Sequence, residues 1–237
     1  MDDDPIPTGC RPVDELIGGG VERGTATQIY GEPAAGKTTL ALSTAIEVAA
    51  AEGTVVYVDT EGVSVDRFRQ LLYARVGEDR AEAVAGRIII EEAHDFDDQA
   101  EAIRDAEELG DRADLVVVDS VTGFYRVERA NDTQGGEALR EVGRQVTELL
   151  GLARKHDVAI LLTNQVFTDP EADRTRPLGG NVLGHLTGAI VRLDRFRGGK
   201  RRVTLEKPRS LPAGNSVAVE ITAEGMVAGE GRGQDRS

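Results

Sequence analysis

Eight consecutive residues constrain this chain more than any others: Gly31-Glu32-Pro33-Ala34-Ala35-Gly36-Lys37-Thr38. They fit the pattern G-x-x-x-x-G-K-[ST] at every fixed position. The apolar segment 25–30 before them reads as a strand, and the Ala- and Leu-rich segment 38–52 after them reads as a helix. Two glycines let the backbone turn tightly enough for successive N–H groups to converge, and a helix N-terminus adds its positive end. Such a loop suits a phosphate chain. Lys37 is placed to reach the β- and γ-phosphates of ATP, and the Thr38 hydroxyl to coordinate Mg²⁺. Thr39 can hydrogen-bond the α-phosphate. The candidate cofactor-binding set is therefore Gly31, Glu32, Pro33, Ala34, Ala35, Gly36, Lys37, Thr38 and Thr39. A strand, a tight loop and a helix in that order require an α/β fold.

The remaining pattern extends that expectation. Segments 54–60, 87–91, Leu115–Asp119 and 158–164 read as strands, with helices expected over 66–73, 97–109 and 136–156. Strand and helix alternate through the first two thirds of the chain, which predicts a parallel sheet with crossover helices. Leu115-Val116-Val117-Val118 is continuously apolar, the mark of a strand covered on both faces. Segments 190–196, 201–206, 217–222 and a short piece near Met226 alternate apolar and polar residues instead. They predict antiparallel strands extending the same sheet. A short helix is expected over 13–17, and 167–181 reads as a long aperiodic loop. No linker or repeat interrupts the pattern, so 1–228 reads as one core and 229–237 as a disordered tail.

Three strand ends carry candidate chemistry. Asp119 closes an apolar strand, where open α/β sheets place their ligands, and can hold Mg²⁺ through water with Ser120 beside it. Glu61, in Asp59-Thr60-Glu61-Gly62, is either an exposed turn glutamate or the carboxylate that orients or deprotonates an attacking water. Gln165, after Thr163-Asn164, is either a satisfied strand-end amide or a sensor of the γ-phosphate. The candidate catalytic set is thus Glu61, Lys37 and Gln165, and the metal set Thr38 and Asp119.

Forty-two acids against 28 bases leave a net charge of −14, and only Lys37, Lys155, Lys200 and Lys207 among the bases are lysines. That composition resembles proteins that work in concentrated salt. The single Cys10 excludes an internal disulfide and reads as a small structural residue. No apolar run approaches the roughly 18 residues of a transmembrane helix, and the acidic start is no signal peptide. The chain reads as cytoplasmic, with no membrane partner. From 195 to 209 there are seven bases and one acid. Such clustering makes Lys200, Arg201, Arg202, Lys207 and Arg209 candidate DNA contacts, or else a solvated hairpin whose arginines pair with nearby carboxylates. Arg174 and Arg176 in the long loop are the other DNA-binding candidates.

Taken together, TQIYGEPAAGKTTLAL, VVYVDTEG, LVVVDSVTGFYR, LLTNQV and LEKPRSLPAGNSVAVEITAEGM resemble the RecA/Rad51/RadA recombinase family over roughly 8–228. TQIYG and KPRSLP suit its RadB branch, short archaeal paralogues of RadA. The resemblance implies a RecA-like core, ATP–Mg²⁺ roles for Lys37, Thr38 and Asp119, and the water-activating and sensor positions for Glu61 and Gln165. It also implies a DNA repair and recombination accessory protein with weak ATPase and no autonomous strand exchange. The implied partners are DNA, single-stranded or branched, a RadA-type recombinase and a Holliday-junction nuclease. Only Met1–Thr8 precede the core. The helical DNA-binding domain and docking motif of full recombinases are therefore expected to be missing. Residues 128–134, matching a first DNA loop, have mixed charge, as does 167–181. The alternative reading is a KaiC-like single-domain switch or motor ATPase that does not act on DNA.

Overall fold

The central strands are held by helices on both faces because nearly every residue of β1 (Ala26–Gly31), β2 (Val55–Asp59), β4 (Leu115–Asp119) and β5 (Ala159–Asn164) is buried. The computed structural model describes residues 4–125, 136–169, 174–196, 199–208 and 211–229. β3 (Ile88–Glu92) and β8 (Ala189–Arg195) run parallel to that set. β9 (Lys200–Lys207), β10 (Ser216–Thr222) and β11 (Gly225–Ala228) continue the sheet antiparallel. The order is β11-β10-β9-β8-β1-β5-β4-β2-β3. This is the mostly parallel sheet with antiparallel C-terminal strands that the sequence predicts, with one correction: segment 190–196, expected antiparallel from its alternation of apolar and polar residues, pairs parallel with β1, and its alternation reflects a half-exposed strand instead.

Side-chain alternation sorts the core into two layers. Ile29, Tyr57, Val117 and Leu161 face one way, against α2 (Lys37–Ala50). α1 (Arg11–Ile17), α3 (Val65–Val76) and α4 (Glu78–Ala85) contribute Val13, Leu71 and Val84 to the same layer. Val56, Val58, Val116, Val118 and Ile160 face α5 (Phe96–Glu108) and α6 (Glu137–His156), which supply Ile103, Val146 and Leu149. Asp95 caps α5 by accepting from the amides of Asp97 and Asp98, both at 2.9 Å. Three basic residues close α6 at its negative end.

Two differences from the sequence expectation matter. α4 goes unforeseen because only Ala81 and Val84 of its eight residues are buried, too few to show a helical period. The expected long loop after Gln165 instead holds an antiparallel ribbon, β6 (Val166–Asp169) with β7 (Arg174–Pro177), followed by α7 (Gly180–Leu186). The ribbon is a separate two-stranded sheet. Its pairing is made by main-chain groups that every residue carries, so no alternation of residue type announces it. Residues 128–134, Arg209 and 230–237 lie outside the described residues. No helix among the described residues is long and apolar enough to cross a membrane.

The chain runs from β1 directly to β2, yet β5 and β4 occupy the two positions between them, and β8 takes the other side of β1. The strand order thus reverses at β1, and a crevice opens beyond its C-terminal end. Gly31, Asp59, Asp119 and Asn164 are the last residues of four neighbouring strands and lie along the same, C-terminal edge of the sheet.

Candidate nucleotide-binding site

The loop leaving β1 is shaped by two glycines that no larger residue can replace without a clash or strain. A Cβ on Gly31 would lie 2.3 Å from the Leu193 carbonyl oxygen of β8. Gly36 has φ +108 and begins α2 with no side-chain cap, leaving the first amides of the helix without that partner. Ala34 holds φ +59, a left-handed conformation that costs an alanine energy. Within the loop, Lys37 Nζ donates to the Gly31 and Glu32 carbonyls at 3.0 and 3.2 Å. The lysine is 8% exposed. Burial pushes its pKa down, and the nearby Glu61 and Asp119 carboxylates pull it back up. An ammonium folded back onto main-chain oxygens can exchange them for phosphate oxygens at little cost in geometry. Uncapped amides and a desolvated cation both fit a polyphosphate.

Asp119 lies at the floor of the crevice, 1% exposed. Tyr57 donates its hydroxyl to Oδ2 at 2.7 Å, Thr163 donates to Oδ1, and Thr38 adds a third hydroxyl bond. Burial pushes the carboxyl's pKa up; the three hydroxyls lower it and Glu61 raises it. The buried Ser120 hydroxyl beside it has no hydrogen-bond partner among the described residues. Thr38, Asp119 and this orphaned hydroxyl are oxygen groups suited to Mg²⁺ and its waters.

Glu61 and Gln165 meet across the crevice, with Gln165 Nε2 donating to Glu61 Oε1 at 2.7 Å. The turn carrying Glu61 is fixed by the buried Asp59, which accepts from the amides of Glu61 (3.1 Å), Gly62 (2.9 Å) and Val63. Gln165 is tied to the interior through its own amide, which donates to Thr122 Oγ1 at 3.3 Å. Thr122 donates to Asn164 Oδ1, and Asn164 donates to the Leu178 carbonyl, at 2.7 and 2.8 Å. The β6–β7 ribbon therefore starts and ends on residues bonded to this site. Sequence reasoning missed Asp59, Tyr57 and Thr163 as supports. Asp followed by Thr-Glu-Gly is a turn signal that could have marked Asp59.

The basic candidates do not form one surface. Lys200 and Arg202 are exposed on β9, and the Arg202 guanidinium lies 5.1 Å from the ring centre of the exposed Phe196. Arg201 projects from the other face of the strand. Its Nε donates to the Ala35 carbonyl at 2.9 Å and its Nη2 to the Ala34 carbonyl at 3.0 Å. Lys207 is also engaged inside the fold: Nζ donates to the Gly184 and Thr187 carbonyls at 2.7 and 2.6 Å, closing the end of α7. Arg174 opens β7, and Arg176 is exposed on the same strand.

Comparison with known proteins gives a consistent set of likenesses. The Rad51 family model matches residues 5–228. A DNA repair and recombination protein RadB from Halobacterium salinarum is 59% identical over 229 residues, 96% of each chain. The protein of the same name from Archaeoglobus fulgidus is 43% identical over 223 residues, covering 93% of this chain and 97% of that one. A crystal structure of the RadB recombinase superposes with a TM-score of 0.82 at 36% identity, covering 95% of this chain and 100% of the other.

Proposed function

This chain belongs to the Rad51 family, and from that premise we propose that it is a RadB-like accessory protein of DNA repair and recombination. It binds ATP and Mg²⁺ through residues 31–39, hydrolyses ATP weakly, and contacts DNA without exchanging strands by itself. The observation that carries the reading is the buried Lys37 ammonium, set inside an uncapped glycine loop with Glu61 and Asp119 as its neighbouring charges. Lys37 leaves the Gly31 and Glu32 carbonyls for the β- and γ-phosphates. Thr39 takes the α-phosphate. Thr38 and Asp119 hold Mg²⁺, which when bound neutralises charge on the phosphate oxygens. Glu61 orients the attacking water and accepts its proton. Gln165 donates to Glu61 Oε1 and so fixes the direction of the carboxylate. The same amide reports γ-phosphate occupancy to the β6–β7 ribbon.

DNA contact falls to Lys200, Arg202 and Phe196 at the β8–β9 turn, with Arg174 and Arg176 on the ribbon. The relatives' shared name supports a recombination role. The family resemblance adds a RadA-type recombinase and a Holliday-junction nuclease as partners.

Hydrolysis measured with and without single-stranded DNA in molar KCl tests this reading. Slow turnover indifferent to DNA, beside measurable DNA binding, is expected. Strong stimulation by DNA identifies an autonomous motor instead, and absence of DNA binding across a salt series leaves a switch ATPase. Lys37→Ala is expected to weaken nucleotide affinity at least about tenfold. Glu61→Gln should bind normally and lower turnover by about a hundredfold or more. Unchanged affinity in the first variant removes the phosphate-loop assignment, and unchanged turnover in the second removes the base.

A further inference from the structure

Arg201 sits on an antiparallel strand far from the loop in sequence, yet it makes two hydrogen bonds to that loop's apex. Nε and Nη2 form one edge of the guanidinium fork, and the carbonyls they hold belong to consecutive residues, Ala34 and Ala35. A third N–H bonds the Lys200 carbonyl at 2.9 Å and fixes the group on its own strand. Arg201 is only partly exposed, on the same face of β9 as the buried Val203 and Leu205.

The consequence lies in peptide geometry. In a trans peptide the carbonyl and the following N–H point to opposite edges. Holding the Ala35 carbonyl therefore decides which way the Gly36 amide faces. The Ala34 carbonyl is fixed in the same grip, at the one loop residue whose left-handed backbone is unfavourable to its side chain. The next strands complete the support. A Cβ on Gly36 would come within 2.7 Å of Ile221 Cδ1 and 2.9 Å of Met226 Cε, from β10 and β11. The loop thus has a fitted bed made by the C-terminal antiparallel strands, and among the described residues of those strands Arg201 is the charged tie on the loop's apex.

We propose that Arg201 is a positioning residue for nucleotide rather than a DNA contact: it holds the Ala34 and Ala35 carbonyls so that the loop's amides face a bound triphosphate. This rests on the nucleotide-site reading above. It also places the β8–β9 turn, with Lys200 and Arg202 on either side of Arg201, in direct connection with the loop.

The test measures affinity for a fluorescent ATP analogue with Mg²⁺, and the melting temperature of the nucleotide-free protein. Arg201→Ala, Arg201→Lys, Lys37→Ala and Arg67→Ala are compared with wild type. Arg67 is the comparator because it too donates across elements to a carbonyl, that of Thr222 at 2.9 Å, but not to the loop. Arg201→Ala is expected to weaken affinity about tenfold, the scale of one hydrogen bond to a charged group. Arg201→Lys keeps the charge and a single donor nitrogen without the fork, and should recover part of that loss with a melting temperature near wild type, so it carries the test if the alanine variant does not fold. Arg67→Ala should bind within about twofold of wild type, whatever it does to melting. Wild-type affinity in both Arg201 variants beside a weakened Lys37→Ala overturns the positioning role alone. Wild-type affinity in Lys37→Ala overturns the site reading and this inference with it. Equal losses in Arg201→Ala and Arg67→Ala overturn it too, since they show general loosening.

Discussion

Asp119 sits where a charge is disfavoured. Its carboxyl is buried, and burial outweighs three hydroxyl donors in raising its proton affinity. The folded chain therefore holds that proton more tightly than the unfolded chain does. The sign follows: the cost to stability is full above the raised value, shrinks as pH falls through it, and is gone below the ordinary carboxylate range. Asp119→Asn removes the titration. The nucleotide-free variant is expected to melt at or above wild type at about pH 7, with the gap closing toward about pH 4. Saturating Mg²⁺–ATP should raise the wild-type melting temperature more than the variant's. A variant that melts well below wild type at neutral pH would show that the ionised form is stabilised by the fold itself. At this scale the sequence was legible where a residue type is tied to a spacing: Lys37, Thr38 and Asp119 stand out from motif and strand end alone. Tyr57, Thr163 and Asp59 did not, because what recruits them is proximity between strands, and strand order is not written in any one segment.

Between elements, β9 shows how pattern and chemistry can pull apart. Its basic residues read as one patch, but alternation on a strand sends neighbours to opposite faces. Val203 and Leu205 are buried, and counting back by two puts Arg201 on their side. The signal was therefore present in the sequence, masked by the density of charge. Lys207 escapes the count because the pairing of β8 with β9 shifts between Ile190 and Val191. The exposed pair gives a separable prediction. Lys200→Glu with Arg202→Glu should weaken single-stranded DNA binding and flatten its salt dependence by about one to two units of log–log slope. Nucleotide affinity should stay unchanged. Binding that keeps the wild-type slope places the contact elsewhere, with the β6–β7 ribbon the next surface to test. The central strands β2, β4 and β5 were legible because both faces are covered and the residues are mostly apolar. The ribbon was not, since its pairing depends on main-chain groups that every residue carries.

For the whole molecule, two demands on charge oppose each other. Net charge −14 repels itself, and repulsion is felt most in the compact state. DNA carries the same sign, so a protein of this charge needs a local basic turn to approach it at all. Salt separates the two demands. The Debye length is about 10 Å at 0.1 M and about 3 Å at 1 M. Added salt therefore relieves self-repulsion across the surface while also weakening the phosphate contacts proposed for the turn. Melting temperature is expected to rise steadily with KCl between about 0.1 M and a few molar, while DNA affinity falls over the same range. A flat or falling melting curve would mean that the 42 acids are already balanced by pairing within the fold, and the reading of the composition as an adaptation to salt would go with it. If both trends hold, stacking on Phe196 and hydrogen bonding must supply much of the DNA affinity in concentrated salt. Phe196→Ala should then lose more binding in molar KCl, relative to wild type, than it does in dilute buffer.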